Sequence, residues 1–94
     1  MPDSQTATAV TVHLVYLARL REAFGRADEA LTLPANEFSV TAILAVLRAR
    51  GGAFAAELAP GRAVRIAVNH ALVASDETVR DGDEVALLPP VTGG

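Results

Sequence analysis

One stretch limits most strongly what this chain can become. Between residues 39 and 50, Val40, Ile43, Leu44 and Leu47 fall at i, i+3, i+4 and i+7, the spacing of one apolar stripe along an α-helix. Ser39 stands where an N-cap is needed. Arg48 and Arg50 fall in the last turn, where cations favour the helix dipole. Gly51-Gly52 supplies a stop, with one glycine expected in the left-handed conformation. Reading the same pair as a phosphate loop fails, because no strand precedes it and no Gly-Lys-Ser/Thr follows. A stripe must bury itself against something, and 94 residues leave room for one core but not two. The covering surface therefore has to come from the short runs on either side.

Those runs read as strands. Residues 10–17 (VTVHLVYL) alternate and are rich in β-branched side chains, with Val12, Leu14 and Tyr16 on one face and His13, Val15 and Leu17 on the other. Both faces are largely apolar, which suits an interior strand. Residues 18–25 make a short helical turn ended by Gly25, and residues 28–34 form a second strand closed by Pro34, giving a hairpin-like pair. Residues 53–58 read as a brief second helix ended by Pro60-Gly61. Residues 64–68 are a strand, Asn69-His70 a turn and residues 71–74 a short return strand. Residues 84–88 are the last strand, stopped by Pro89-Pro90, since proline cannot donate to a ladder. The order β, β, α, β, short β, β predicts an α+β roll: a sheet with one main helix packed across one face. The expected division is an N-terminal extension at 1–9, a domain at 10–88 and an extended tail at 89–94.

Composition removes several functions. The chain has no cysteine, so it forms no disulfide, binds no metal through thiolate and uses no cysteine nucleophile. The net charge is −3 with no basic run, and all eight basic residues are arginine, which argues against nucleic-acid binding. No apolar run approaches the roughly 20 residues of a membrane span, and residues 1–9 lack the features of a secretory signal. A cytoplasmic protein with no bound cofactor is expected. His13 and His70 lie far apart, with no carboxylate at ligand spacing, and read as strand and turn residues rather than metal ligands. Asp81, Asp83 and Glu84 lack EF-hand spacing and read as a solvated turn. Ser39 and Ser75 fit capping and loop roles, and Arg21-Glu22 reads as a surface ion pair. No metal site is expected.

The chain ends Pro89-Pro90-Val91-Thr92-Gly93-Gly94. Six residues at about 3.3 Å each reach roughly 20 Å past the last strand, and two prolines favour an extended exit. A Gly-Gly end without side chains can thread a narrow tunnel and present its carboxylate to a buried site. It can equally be a frayed end in which two glycines occur by chance.

The last third as a whole bears on that choice. Asp81-Gly82-Asp83-Glu84-Val85-Ala86, a short apolar pair and then PPVTGG resemble the small subunits of molybdopterin synthase (MoaD type), within the ubiquitin-like sulfur carriers of the MoaD/ThiS family. Further matching pieces are Ala18-Arg19-Leu20-Arg21-Glu22 after the first strand, the helix at 39–50, and Val68-Asn69 leading to Leu72-Val73. The resemblance spans residues 12–94 and implies a β-grasp fold with a mixed sheet. It also implies a mechanism. An adenylating enzyme of the ubiquitin-activating type, using ATP, activates the Gly94 carboxylate. Sulfur from a persulfide donor, such as a cysteine desulfurase or rhodanese system, replaces AMP and leaves a terminal thiocarboxylate. The large subunit receives the tail, and the sulfur passes to precursor Z to build the molybdopterin dithiolene. Gly94 is then the reacting residue, and Gly93, Thr92, Val91, Pro90 and Pro89 position it. The chain is no enzyme on its own, and a heterotetramer with the large subunit is implied.

Strand parity points to a docking surface. If the helix stripe covers Leu14, Tyr16, Val64, Ile66, Val68, Val85 and Leu87, then Val15, Leu17, Ala67, Ala86 and Leu88 share the opposite face, unusually apolar for a surface facing water. The β-grasp order sets the first and last strands side by side, which makes Leu17 and Leu88 neighbours. The family meets both partners through such a patch, including a position matching Leu72, and often carries aromatics where Leu17, Leu87 and Leu88 stand. Three other functions compete: a sister carrier feeding thiamin thiazole or another acceptor, a ubiquitin-like protein modifier, and a binding module with an inert tail.

Overall fold

The computed structural model describes residues 9–34 and 37–90. Its elements run β1 (Val10–Tyr16), α1 (Ala18–Phe24), β2 (Asp28–Leu33), α2 (Val40–Arg48), α3 (Gly52–Glu57), β3 (Arg65–Val68), β4 (Ala71–Val73) and β5 (Glu84–Leu88). The five strands form one mixed sheet in the order β2-β1-β5-β3-β4. β1 and β5 are parallel and every other pairing is antiparallel. This is the α+β arrangement that the element order predicts. Of the expected 1–9 extension only Ala9 falls within the described residues, and residues 91–94 of the expected tail lie outside them.

One sheet face is covered by all three helices rather than by α2 alone. Val10, Val12, Leu14 and Tyr16 of β1, Val85 and Leu87 of β5 and Ile66 of β3 pack there against Leu20 and Phe24 of α1 and against Val40, Ile43 and Leu47 of α2. Leu58, just past α3, joins the same core, and Phe54 stacks on Phe24 with ring centroids 4.2 Å apart. Ser39 caps α2, its hydroxyl accepting from the Ala42 N–H at 3.1 Å. The helix ends at Arg48, one turn-half earlier than expected, so Arg50 lies beyond it. Gly51 and Gly52 both take positive φ, 77° and 56°, and turn the chain sharply from α2 into α3.

The Asp81-Gly82-Asp83 turn is a structural clasp. Gly82 sits at φ 88° and donates its N–H to the Thr11 carbonyl at 2.8 Å. Asp81 Oδ1 accepts the Thr11 N–H at 2.8 Å, while Asp83 accepts from the Arg80 N–H at 2.8 Å and from Asn69 Nδ2 at 3.0 Å. The Asn69 side chain in turn accepts the Glu84 N–H at 3.0 Å. Together these bonds lock the start of β5 to the start of β1 and to the β3–β4 turn. The turn's carboxylates are consumed by backbone and amide donors.

Candidate functional site

The parallel pairing of β1 and β5 decides where the tail begins. Both strands run toward the same end of the sheet, with Tyr16 opposite Leu87. The Leu17 N–H continues the ladder by donating to the Leu87 carbonyl at 3.1 Å. Ala18 then takes φ 52°, a left-handed conformation costly for a residue with a Cβ, and breaks the strand abruptly into α1. That break leaves Leu17 at the rim while α1 passes under the covered face. Pro89 and Pro90, both half-buried, leave from this rim.

The outer face is organised in rows. Val15, Ala86, Ala67 and Leu72 are successive register partners across β1, β5, β3 and β4. Leu88 stands opposite Arg65 in the neighbouring row. Leu72 is 59% exposed and Leu17 37%, against 9% for Ala86 in the middle; Val15, Ala67 and Leu88 are half-buried. The structure therefore brings Leu17, Leu72, Leu88, Val15, Ala67 and Ala86 onto one face beside Pro89 and Pro90. Val91, Thr92, Gly93 and Gly94 lie outside the described residues. Small residues in the centre and leucines at the edges make a flat apolar surface, able to exclude water against a partner, with the His13 and Glu84 pair in the next row away from the tail.

Sheet register supplies carboxylates to both histidines, which spacing along the chain does not reveal. His13 Nε2 lies 3.3 Å from Asp28 Oδ2, and His70 Nδ1 lies 3.8 Å from Glu84 Oε2. Both pairs are exposed, and among the described residues no three His, Asp or Glu side chains converge on a metal position. Arg21 and Glu22 do not pair with each other in the structure, because adjacent helical residues point apart; it is Arg19 that meets Glu57, at 3.4 Å. Two grooves, of about 460 and 410 Å³, open near Ser39 and near Asn69, at the opposite end from the tail. No helix among the described residues is long and apolar enough to cross a membrane.

A second polar cluster escapes sequence reading. Tyr16 is fully buried, and its hydroxyl donates to Glu29 at 2.5 Å. Arg50 grips the same carboxylate through two bonds, at 2.7 and 2.9 Å, and lies over the Phe54 ring. The Arg50 bonds hold the Glu29 carboxyl below its usual range, and burial pushes the Tyr16 hydroxyl well above its own. Glu29 thus fastens β2 to the end of α2 beneath β1. Its only advance signal is an acid at an inward position of a strand.

Comparison with known proteins agrees with this geometry. The ThiS family profile matches residues 14–94. The molybdopterin synthase sulfur carrier subunit of Escherichia coli is 36% identical over 83 residues, covering 88% of this chain and 99% of that protein. The same-named subunit of Haemophilus influenzae is 31% identical over equal shares. A solved structure described as a putative molybdopterin converting factor, subunit 1, from Pyrococcus furiosus superposes with a TM-score of 0.72 at 29% identity, covering 87% of this chain and 99% of that one. The Caldiarchaeum subterraneum ubiquitin shares the fold, with a TM-score of 0.58 at 20% identity over 92% of this chain and 99% of its own. With the match extending along almost the whole domain and the whole length of those relatives, the chain belongs to the ThiS/MoaD family, built on the ubiquitin-like β-grasp fold.

Proposed function

We propose that this chain is the sulfur-carrier subunit of a cytoplasmic molybdopterin synthase, loaded at its C-terminus. The observation that carries the reading is the joint placement of the tail root and the apolar outer face. β5 delivers Pro89 beside Leu17 and Leu88, so a partner seated on the face also receives the tail. The names of the relatives, which match along nearly their full length, support molybdopterin as the product; a shared fold alone would not choose among acceptors such as thiamin thiazole.

The chemistry follows from the terminus. A carboxylate is inert toward sulfur, so an adenylating partner of the ubiquitin-activating type joins the Gly94 carboxylate to AMP, with ATP as its substrate and pyrophosphate leaving. The outer sulfur of a persulfide donor then attacks the carbonyl and expels AMP, and a second thiol reduces the resulting acyl disulfide, which leaves the thiocarboxylate and returns the donor as a thiol. Its sulfur is anionic at neutral pH, polarisable and nucleophilic. Gly93 and Gly94 admit it to a narrow channel of the large subunit, while Pro89 and Pro90 keep the tail extended. Two deliveries to precursor Z complete the dithiolene. Acid–base groups and substrate contacts belong to the large subunit, and the small chain contributes the sulfur, the reach and the docking face.

The test is reconstitution. Chain carrying a terminal thiocarboxylate is mixed with the large subunit and precursor Z, and dithiolene product is assayed against chain ending in an ordinary carboxylate. Product only from the thiocarboxylate form is expected. Efficient thiazole synthesis with no dithiolene would move the chain to the sister carriers, and stable conjugates on target lysines would make it a modifier.

A further inference from the structure

The arginines are distributed unevenly along the strand axis. β1 and β5 run from an end closed by the 80–84 turn to the end where the tail leaves. α2 is oriented the same way: its first N–H groups bond the carbonyls of Glu77 and Ser75, and past its far end Arg50 meets Glu29. Every arginine except Arg80 therefore belongs to the tail end, in α1, at or past the end of α2, on the connections into β2 and β3, or at the start of β3. Seven arginines there face four carboxylates, Glu22, Asp28, Glu29 and Glu57. At the opposite end one arginine accompanies Glu37, Asp76, Glu77, Asp81, Asp83 and Glu84. Among the described residues the balance is thus +3 at one end and −5 at the other; Asp3, which brings the whole chain to −3, lies outside them.

The positive end closes round the tail root. Arg65 is the register partner of Leu88, is exposed, and has no carboxylate partner among the described residues. On the other side Arg19 lies in the first turn after Leu17. Arg19 and Arg62 share one oxygen of Glu57, at 3.4 and 3.1 Å, so a single carboxylate serves two guanidiniums. We propose that this arginine collar steers the tail-first encounter with a protein partner that presents carboxylates round the mouth of its tail-accepting pocket. Such a partner attracts the collar and repels the acidic end, which sets orientation before any apolar contact forms. The apolar face then supplies the short-range affinity. The identity of the partner rests on the function proposed above.

The experiment follows association of the full chain with the large subunit by stopped flow, from roughly 20 to 500 mM salt. The on-rate is expected to fall about 10- to 100-fold while the off-rate changes by less than about threefold. At low salt, Arg65→Glu should slow association more than Arg65→Gln. Arg65→Lys should restore it, which a steric role would not allow. Glu77→Arg, at the acidic end, should not slow it. Circular dichroism checks that each variant is folded. An on-rate indifferent to salt and to charge at position 65, with binding intact, overturns the steering role alone. Absence of binding at every salt overturns the functional reading and the collar with it. Retention of single-stranded RNA in preference to the large subunit assigns the collar to nucleic acid and overturns the proposal.

Discussion

On the inner face, β1 and β5 place Leu14, Tyr16, Val85 and Leu87, all at 0% exposure. One position along the same strands they place Val15 and Ala86, with Leu17 and Leu88 at the rim. Both faces are apolar, yet they are built from different volumes. The inner face uses large and branched residues that interlock with three helices. The outer face has alanines at positions 67 and 86 in its centre and leucines at its edge, and none of the described elements covers it. Interlocking residues hold a fold together, because removing one leaves a cavity. A flat face stabilises little in isolation and keeps its apolar area for a partner. Under the proposed function, alternate residues of one strand divide the work of folding and docking.

Substitutions sharpen that division. The largest effect falls on function alone: deletion of Gly94 should abolish sulfur transfer in the reconstituted reaction while the thermal midpoint stays unchanged. Next, Leu14→Ala on the inner face should cost about 2–5 kcal/mol in urea unfolding. Its outer counterpart, Leu72→Asp, should shift stability by no more than about 0.5 kcal/mol and weaken binding of the large subunit about 10- to 100-fold by titration calorimetry. A Leu72→Asp protein that unfolds as readily as Leu14→Ala would break the comparison.

Smaller effects probe the polar fastening below β1. Glu29→Gln should cost about 1–2 kcal/mol at neutral pH, since it removes charge from a doubly bonded arginine. The Glu29 carboxyl titrates below its unfolded value of about 4.3. Its contribution is therefore full above that value and lost as pH falls through the lower, folded one. Urea midpoints of wild type and Glu29→Gln should differ at pH 7 and converge in acid; a constant gap would remove Glu29 from the account. The smallest effect is a gain. Ala18→Gly should stabilise by up to about 1 kcal/mol, because Ala18 sits at φ 52°.

Much of this was legible along the chain, for a physical reason. Strand parity and the helix stripe are local periodicities, so the two sheet faces and α2 could be assigned from neighbours in sequence. The tail root was legible because prolines stop strands. Register and long-range pairing were not. Arg50 meets Glu29 across 21 positions, and His13 meets Asp28 only because β2 returns beside β1. The helix stripe suggested one covering helix, whereas α1 and α3 are too short, at 7 and 6 residues, for periodicity to reveal the faces they bury. The left-handed Ala18 defeats propensity outright, since nothing in an alanine announces positive φ.

The proposed function makes Gly94 the sulfur-bearing residue, and the most direct measurement is intact mass. The chain is incubated with the adenylating enzyme, ATP and a persulfide donor, beside a Gly94 deletion that exposes any confusion with oxidation at Met1. Replacement of one terminal oxygen by sulfur, mapped to the last residues and absent from the deletion, is the predicted result. An unchanged terminus, under conditions that charge the Escherichia coli subunit, would contradict it.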